Sequence, residues 1–138
     1  MEHLSNQTRG QRNNNPLNIR KGSNWKGLNH HGTDKDFCVF VGLEFGIRAA
    51  LYILRKYIKT YKLCTVRQII SRWAPNEENN TEVYIQFVCK KIGVLPTDRI
   101  DWENWQKVCM LVKAMAMMES KMSLDLNQIV KVYSLLSK

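Results

Sequence analysis

Apolar residues that recur every three or four positions constrain the fold of this chain more than any other feature. Between positions 43 and 61, the side chains of Ile47, Leu51, Leu54 and Ile58 fall on one face of a helix. Similar patterns, together with capping and terminating residues, predict helices over 43–61, 65–73, 80–93, 101–119 and 123–136. The sequence therefore predicts a mainly α protein with a helical body over 43–136.

Polar residues mark where several of these helices begin. We predict that Thr65, Asn79 or Asn80, and Asp101 cap the second, third and fourth helices, because their side chains accept hydrogen bonds from first-turn amides. Trp105 is expected to face the interior with the other apolar residues of the fourth helix.

The first quarter of the chain has a different composition. Residues 1–34 are interrupted by glycine and proline and are predicted to be irregular. The run from Phe37 to Val41 is β-prone and is expected to form at most a small β-hairpin. No linker or repeat divides the chain, so residues 1–138 are predicted to be a single domain.

Length and composition exclude several classes of protein. The chain has 138 residues, of which 44% are hydrophobic, so it can bury a core without disulfides or metals. It contains no apolar run long enough to span a membrane and no hydrophobic leader, so we expect a protein made in the cytoplasm without a signal peptide. The four cysteines have no metal-binding spacing, so we expect reduced thiols, no metal and no cofactor.

The net charge of +9, from 21 basic and 12 acidic residues, favours a polyanionic partner. The basic residues are dispersed along the chain and form no recognisable nucleic-acid module, so nucleic acid is an unlikely partner. Anionic polymers of the bacterial envelope are the alternative.

An asparagine-rich loop between Arg12 and Arg20 is the clearest candidate binding segment. Asparagine and proline are ordinary turn residues, but amides beside an indole also suit a sugar, whose hydroxyls pair with amides and whose ring faces lie on tryptophan. We therefore predict substrate contacts from Asn14, Asn15, Asn18, Arg20 and Trp25.

This segment resembles the start of small phage-type peptidoglycan hydrolases with a lysozyme-like fold. The shared pattern is Asn-Asn-Pro-Leu-Asn-Ile-Arg followed by Trp-x-Gly, and it is similar to a segment of bacterial glucosaminidases. The resemblance extends through much of the chain. It implies a lysozyme-like domain that cleaves the glycan strands of peptidoglycan.

Glu119 is the candidate general acid. It follows an apolar helix, where removal from water would raise the pKa of its carboxyl towards the range that acid catalysis needs. The alternative is an ordinary helix end whose carboxylate is solvated. The segment Ala114–Ser120 resembles the Ala-x-x-x-x-Glu-Ser context of the acid in lysozyme-like lytic enzymes. Since the asparagine-rich loop follows that helix in most such enzymes, the reversed order here implies a circular permutation.

Two aromatic residues complete the predicted cleft. The segment 78–88 resembles the Glu-Thr-x-x-Tyr-Val-x-x-Val helix of lytic transglycosylases, which implies that Tyr84 orients Glu119 or a sugar N-acetyl group. By the same likeness, Glu78 or Thr81 would fix the start of this helix. Trp73 could stack on a sugar, and both Trp73 and Tyr84 could instead be packing residues.

Glu44 is the rival acid. Its place at the start of a helix is explained by the helix dipole alone, which stabilises a carboxylate there by about 0.3–1 kcal/mol. In an inverting hydrolase it could serve as the base, because such enzymes place two carboxyls about 6.5–9.5 Å apart. A pairing of Cys38 with His30 or His31 is a weaker nucleophilic alternative.

The sequence thus predicts an enzyme, either a lytic transglycosylase or a muramidase or glucosaminidase, that acts at the bacterial cell wall. It would reach the wall after release from the cell, or as part of a virion or secretion device. The competing hypothesis is a non-catalytic virion or envelope-binding protein that retains the fold, and a nucleic-acid-binding protein is a third.

Overall fold

Side-chain caps set the boundaries of several helices in the computed structural model, which describes residues 6–76 and 80–136. Thr65 accepts a hydrogen bond from the amide of Gln68, whose side chain bonds back to Thr65, so that the two form a capping box. Asn80 and Asn104 cap the helices that follow them. The described residues form the helices α1 (Arg9–Arg12), α2 (Leu43–Arg55), α3 (Val66–Trp73), α4 (Thr81–Ile92), α5 (Trp105–Ser120) and α6 (Leu126–Leu136), with a π-helical segment at Lys56–Thr60.

The mainly α prediction is confirmed, and some boundaries differ. The predicted cap Asp101 was wrong, because Asn104 caps α5 while Asp101 pairs with Arg99. Trp105 lies on the outer face with 44% of its surface exposed, whereas Trp102 is buried and its carbonyl accepts a hydrogen bond from Tyr133. The last helix begins at position 126 rather than 123. Asn79 and Glu78, named in the predictions, lie outside the described residues.

Helix α1 lies within the segment predicted to be irregular. Thr8 and Gln11 form a capping box around this single turn, and this Thr-x-x-Gln spacing is the sequence signal for it. Gly10 of α1 lies so close to α5 that an added Cβ would come within 1.9 Å of the Ser120 hydroxyl oxygen. Only a residue without a side chain permits this approach.

The core lies between the long helices. Helix α5 packs against α4 and α6, and α2 packs against α6. The fully buried large side chains of these helices include Ile47, Leu51, Leu54, Ile85, Leu111, Met115 and Ile129. The predicted apolar stripes therefore meet in one hydrophobic core, in which all four cysteines are buried free thiols.

The β-prone run at 37–41 forms isolated antiparallel bridges rather than a sheet in the described part of the chain. Phe37 pairs with Arg20, and Phe40 pairs with Leu28. The amide of Cys38 also bonds to the carbonyl of Ile19 at 2.9 Å. The run therefore ties two parts of the N-terminal region together, within the predicted limit of at most a small hairpin.

The N-terminal region is pinned to the end of α5 by hydrogen bonds. The hydroxyl of Ser120 donates to the carbonyl of Pro16 at 2.8 Å, and the carbonyl of Ser120 accepts from the Thr8 hydroxyl at 2.7 Å. The side chain of Gln11 donates to the same carbonyl. These contacts bring residues 8–18 beside Glu119, the neighbour of Ser120 in the chain.

None of the helices in the described ranges is both long enough and apolar enough to cross a membrane.

Candidate functional site

A cleft of about 940 Å³ lies between the N-terminal region and the helical body. One set of lining residues comes from positions 17–25, another from the end of α2 and the π-helical segment, and a third from the ends of α3 and α5. The predicted residues that line it are Asn18, Arg20, Trp25, Trp73 and Glu119. Side chains up to a hundred positions apart in sequence thus meet at one surface.

Glu119 is the one carboxylate among the described residues that line the cleft. The indole Nε1 of Trp73 donates to its Oε2 at 3.0 Å, and the Asn18 amide donates to its backbone carbonyl at 3.0 Å. Burial raises the pKa of the Glu119 carboxyl, and the nearby polar groups of Tyr84, Trp73 and Asn18 oppose part of that rise. This carboxyl therefore holds its proton to a higher pH than an exposed glutamate does.

The backbone around Glu119 is held in place from both sides. Helix α5 ends at Ser120, and Lys121 follows in the left-handed conformation with φ of 51°. Ser120 is fully buried and bonded to the N-terminal region, as described above. Glu119 therefore projects from a fixed helix end rather than from a mobile loop.

Tyr84 lies behind Glu119 rather than in the lining of the cleft. Its hydroxyl is buried and has no partner at ordinary hydrogen-bond geometry within the described residues, although it is near enough to Glu119 to interact with the carboxyl. Burial, followed by the charge of Glu119, raises the pKa of the Tyr84 phenol. Tyr84 therefore keeps its proton, and its O–H group can donate a hydrogen bond to the Glu119 carboxyl.

Aromatic side chains line the cleft beyond those that the sequence predicted. Tyr52 lies 6.5 Å from Trp25, and Tyr57 lies 6.4 Å from Trp73, measured between ring centroids. In the sequence, both tyrosines lie outside the set of apolar residues predicted to face the core, and both are near basic residues. This position could have identified them as residues of the cleft. The cleft therefore has aromatic rings next to its polar groups, and two arginines, Arg48 and Arg55, lie over the Tyr52 ring.

Two further buried polar atoms lie in residues that line the cleft. The Asn18 Oδ1 and Trp25 Nε1 atoms have no hydrogen-bond partner within the described residues. Because such atoms are rare in protein interiors, they are more typical of functional surfaces than of cores.

No known family model matches the chain. Over 116 residues it is 43% identical to Protein P5 of Pseudoalteromonas phage PM2, a match that covers 81% of this chain and 71% of that protein. The chain belongs to the family of this phage protein.

Two asparagines of this chain that were predicted to contact substrate, Asn14 and Asn15, have structural roles. Asn15 is fully buried, and its amide donates to the carbonyls of Ile19 and Cys38 while its oxygen accepts from the Ile19 amide. The amide of Asn14 donates to the Phe40 carbonyl. Because these amides are used within the protein and do not line the cleft, the structure corrects their prediction as substrate contacts.

Glu44 does not line the cleft that contains Glu119. It lies exposed in the first turn of α2 and outside the lining of the cleft, near Gly42. The favourable interaction of its carboxylate with the helix dipole accounts for Glu44 at this position. The structure does not support its prediction as a second catalytic carboxylate.

Burial of the thiol disfavours the cysteine alternative. Cys38 and His30 do line a separate cavity of about 280 Å³. However, Cys38 is buried, and burial raises the pKa of its thiol, which is opposite to the change that a nucleophilic cysteine needs.

Among the described residues, no group of three or more His, Cys, Asp or Glu side chains is arranged to hold a metal ion.

Proposed function

We propose that this protein cleaves the glycan strands of peptidoglycan with Glu119 as the general acid. The observation that carries the proposal is a largely buried carboxyl, with a raised pKa and a tryptophan hydrogen bond, in a cleft lined by aromatic rings. Cleavage of a glycosidic bond requires protonation of the leaving oxygen, and a carboxyl with a raised pKa keeps the proton for this step to a higher pH than an exposed carboxyl does.

Surrounding groups have clear roles in this proposal. The Trp73 indole donates to one oxygen of Glu119 and so orients the carboxyl at the cleft wall. The ring of Trp25 offers an apolar surface on which a sugar ring can lie. The neighbouring Tyr52 ring is stacked against the guanidinium groups of Arg48 and Arg55, at 4.6 and 4.7 Å from its centroid, and so supports this side of the cleft. After bond cleavage, the ionised Glu119 is stabilised by the Trp73 and Tyr84 donors and can accept a proton in the second half of the reaction.

The proposed reaction is that of a lytic transglycosylase. A hydrolase that follows either standard route uses two carboxyls, about 5–5.5 Å apart when retaining and about 6.5–9.5 Å apart when inverting. Glu119 has no second carboxylate beside it among the described lining residues. A transglycosylase needs one acid, because a hydroxyl of the substrate itself closes an anhydro ring.

A permuted lysozyme-like arrangement is part of the same proposal. It requires the asparagine-rich loop to lie beside the acid even though about a hundred residues separate them. The hydrogen bond from Asn18 to the carbonyl of Glu119 supports this arrangement.

The second candidate is a non-catalytic virion or envelope-binding protein. The phage origin of its relative favours it, because phages carry structural proteins as well as enzymes that open the cell wall. In either case we propose that the protein acts at the bacterial envelope as a phage-derived component.

Digestion of purified cell wall distinguishes these candidates. We expect mass spectrometry of the released fragments to show anhydro-muropeptides. Reducing ends would replace the transglycosylase with a hydrolase. Sedimentation of the protein with the wall, without release of any fragment, would favour the binding protein, and neither binding nor release would reject both.

A further inference from the structure

The π-helical segment places an aromatic ring in the wall of the cleft. Its wide turn is closed by a bond from the Tyr61 amide to the Lys56 carbonyl at 3.0 Å. Within it, Ile58 is buried in the hydrophobic core, while the preceding residue, Tyr57, lines the cleft. Such segments are rare and frequently occur at functional sites. The contacts of Tyr57 in the cleft therefore bear on what this segment does.

Tyr57 contacts the tryptophan that is bonded to the proposed acid. The ring centroids of Tyr57 and Trp73 lie 6.4 Å apart, with an angle of 62° between the ring planes, which is an edge-to-face arrangement. The indole Nε1 of Trp73 donates in turn to Oε2 of Glu119 at 3.0 Å. One aromatic contact and one hydrogen bond thus connect Tyr57 to the carboxyl.

The direction of that hydrogen bond depends on the plane of the indole ring. The outer side-chain torsion of a tryptophan has broad energy wells, so neighbouring atoms must select one ring plane. Trp73 is the last residue of α3 and is only partly buried, so core packing alone does not fix its ring. Because an edge-to-face contact has a preferred geometry, Tyr57 favours the ring plane in which Nε1 points at Glu119.

The Tyr57 ring is itself held by other groups. Its centroid lies 6.3 Å from that of Tyr61 and 5.7 Å from the guanidinium carbon of Arg72, which also lies 5.0 Å from the Tyr61 centroid. Burial raises the pKa of the Tyr57 phenol, and Arg72 opposes part of that rise. Tyr57 is therefore a neutral, partly buried ring with a defined place from which it can act on Trp73.

We infer that Tyr57 is a positioning residue, whose ring holds the Trp73 indole in the orientation that donates to Glu119. The ring makes the contact, so the hydroxyl is not required. The consequence for catalysis rests on the proposed function, in which Glu119 is the acid. Without the Tyr57 ring, the indole bond weakens and the ionised form of Glu119 loses part of its stabilisation, so the pKa of Glu119 rises further.

Titration of the Glu119 carboxyl by carbon NMR in the full-length protein tests the inference. The signal is assigned by its absence from Glu119→Gln. Tyr57→Leu removes the ring and should raise the pKa of Glu119 by about 0.5, since complete loss of a hydrogen bond to a charged group corresponds to roughly one to two pKa units. Tyr57→Phe keeps the ring and should leave this pKa within about 0.2 of the wild-type value. If Tyr57→Leu does not fold, Tyr57→Met provides the same comparison.

Tyr61→Leu is the matched control. It removes the same kind of ring from the adjoining residue of the same segment, and Tyr61 lies outside the cleft lining. This variant should change the pKa of Glu119 by less than about 0.2, because the Tyr57 ring remains against Trp73.

A double variant shows whether Tyr57 acts through the indole. Trp73→Phe alone should raise the pKa of Glu119, because it removes the donor. The addition of Tyr57→Leu should then cause no further rise, since no donor remains to be oriented.

Three results would overturn the inference: an unchanged or lower pKa in Tyr57→Leu, an equal rise in Tyr57→Phe or Tyr61→Leu, or the same rise from Tyr57→Leu with and without the indole. The titration does not depend on enzymatic activity, so its outcome is separable from that of the proposed function. Coupling of Tyr57 to Glu119 without fragment release from the wall would retain the positioning role and reject the enzyme. Fragment release with an unchanged pKa would retain the enzyme and reject the positioning role.

Discussion

The N-terminal region (residues 8–42) and the helical body (residues 43–136) are stabilised by different interactions. The body buries apolar side chains at regular spacing, as Leu51 and Leu54 on α2 illustrate. The N-terminal region relies on amides and hydroxyls bonded to backbone atoms, as Asn15 and Ser120 illustrate. The cleft lies where these two regions meet, so its geometry depends on both kinds of interaction.

This difference explains why neighbouring asparagines have different roles. Asn15 is enclosed by the backbone that it holds, whereas Asn18, three residues later, lines the cleft and reaches Glu119. A polar segment can therefore build a site and support it within a few residues.

Removal of the proposed acid should have the largest effect. Glu119→Gln keeps the size of the side chain and an acceptor for Trp73 but removes the transferable proton. Release of fragments from purified wall should fall by about 10²–10⁴-fold, the range typical of a lost general acid. Circular dichroism should show an unchanged helical content.

Glu44→Gln is the matched control for this comparison, because Glu44 belongs to the helical body and lies outside the cleft lining. Activity should stay within about twofold of wild type. A large loss in Glu44→Gln with a nearly silent Glu119→Gln would reverse the assignment, and large losses in both would indicate an acid–base pair.

The supporting role of Asn15 predicts a large effect on stability. Asn15→Ala removes three hydrogen bonds. It leaves two buried backbone groups, the Cys38 carbonyl and the Ile19 amide, without their partner, each at a cost of about 1–3 kcal/mol, while the Ile19 carbonyl keeps its bond from the Cys38 amide. We expect the free energy of unfolding to fall by roughly 2–4 kcal/mol in urea denaturation.

Asn18→Gly is the comparison for this measurement, because Asn18 has a positive φ of 52° that glycine adopts without strain. It should cost about 1 kcal/mol, because it removes one bond to the carbonyl of Glu119 at a partly buried site. If both variants were equally destabilised, the division between the supporting asparagine and the cleft asparagine would be wrong.

The helical body could be predicted from the sequence because apolar spacing and capping residues are local signals. Thr65 began its helix as expected, and Glu119 lies within the last turn of α5. The error at Asp101 arose because two residues able to cap a helix, Asp101 and Asn104, lie three positions apart. Asp101 pairs with Arg99 instead, and the local pattern does not indicate which of the two residues caps the helix.

The site was less predictable than the fold. Of the residues predicted as catalytic or substrate-binding, Glu119, Trp73 and Asn18 line one cleft, whereas Asn14 and Asn15 do not. An amide has the same hydrogen-bonding capacity whether it faces a ligand or the backbone, so the sequence could not separate these cases. Only the path of the chain at 37–41 decides which amides are enclosed.

The Trp73 indole should tune the acid rather than supply the proton. Its hydrogen bond stabilises the ionised carboxylate and so opposes the rise in the pKa of Glu119. Trp73→Phe should therefore raise that pKa further, and the fall in activity at high pH should move to higher pH. The measurement is wall digestion across a pH series, with Tyr57→Phe as a control that removes only a hydroxyl from the neighbouring ring.

A purely structural role for Trp73 predicts something else. The rate of Trp73→Phe would then fall by the same factor at every pH. An unmoved profile would therefore show that the indole does not act on the acid.

The smallest expected effect is a pH-dependent gain in stability for Glu119→Gln. Below the ordinary glutamate pKa of 4.5, the carboxyl is protonated in both the folded and unfolded protein, so the variant and the wild type should have similar stability. As the pH rises through the raised pKa of the folded state, the wild type must ionise a largely buried carboxyl and loses stability, whereas the amide does not. The difference in free energy of unfolding should therefore be near zero at pH 4, grow above it, and level off once Glu119 is ionised in the folded protein. Urea denaturation of both proteins from pH 4 to 8 measures it. A difference that stays constant with pH would mean that Glu119 behaves as an ordinary solvated carboxylate, and the chemical basis for acid catalysis in this cleft would be lost.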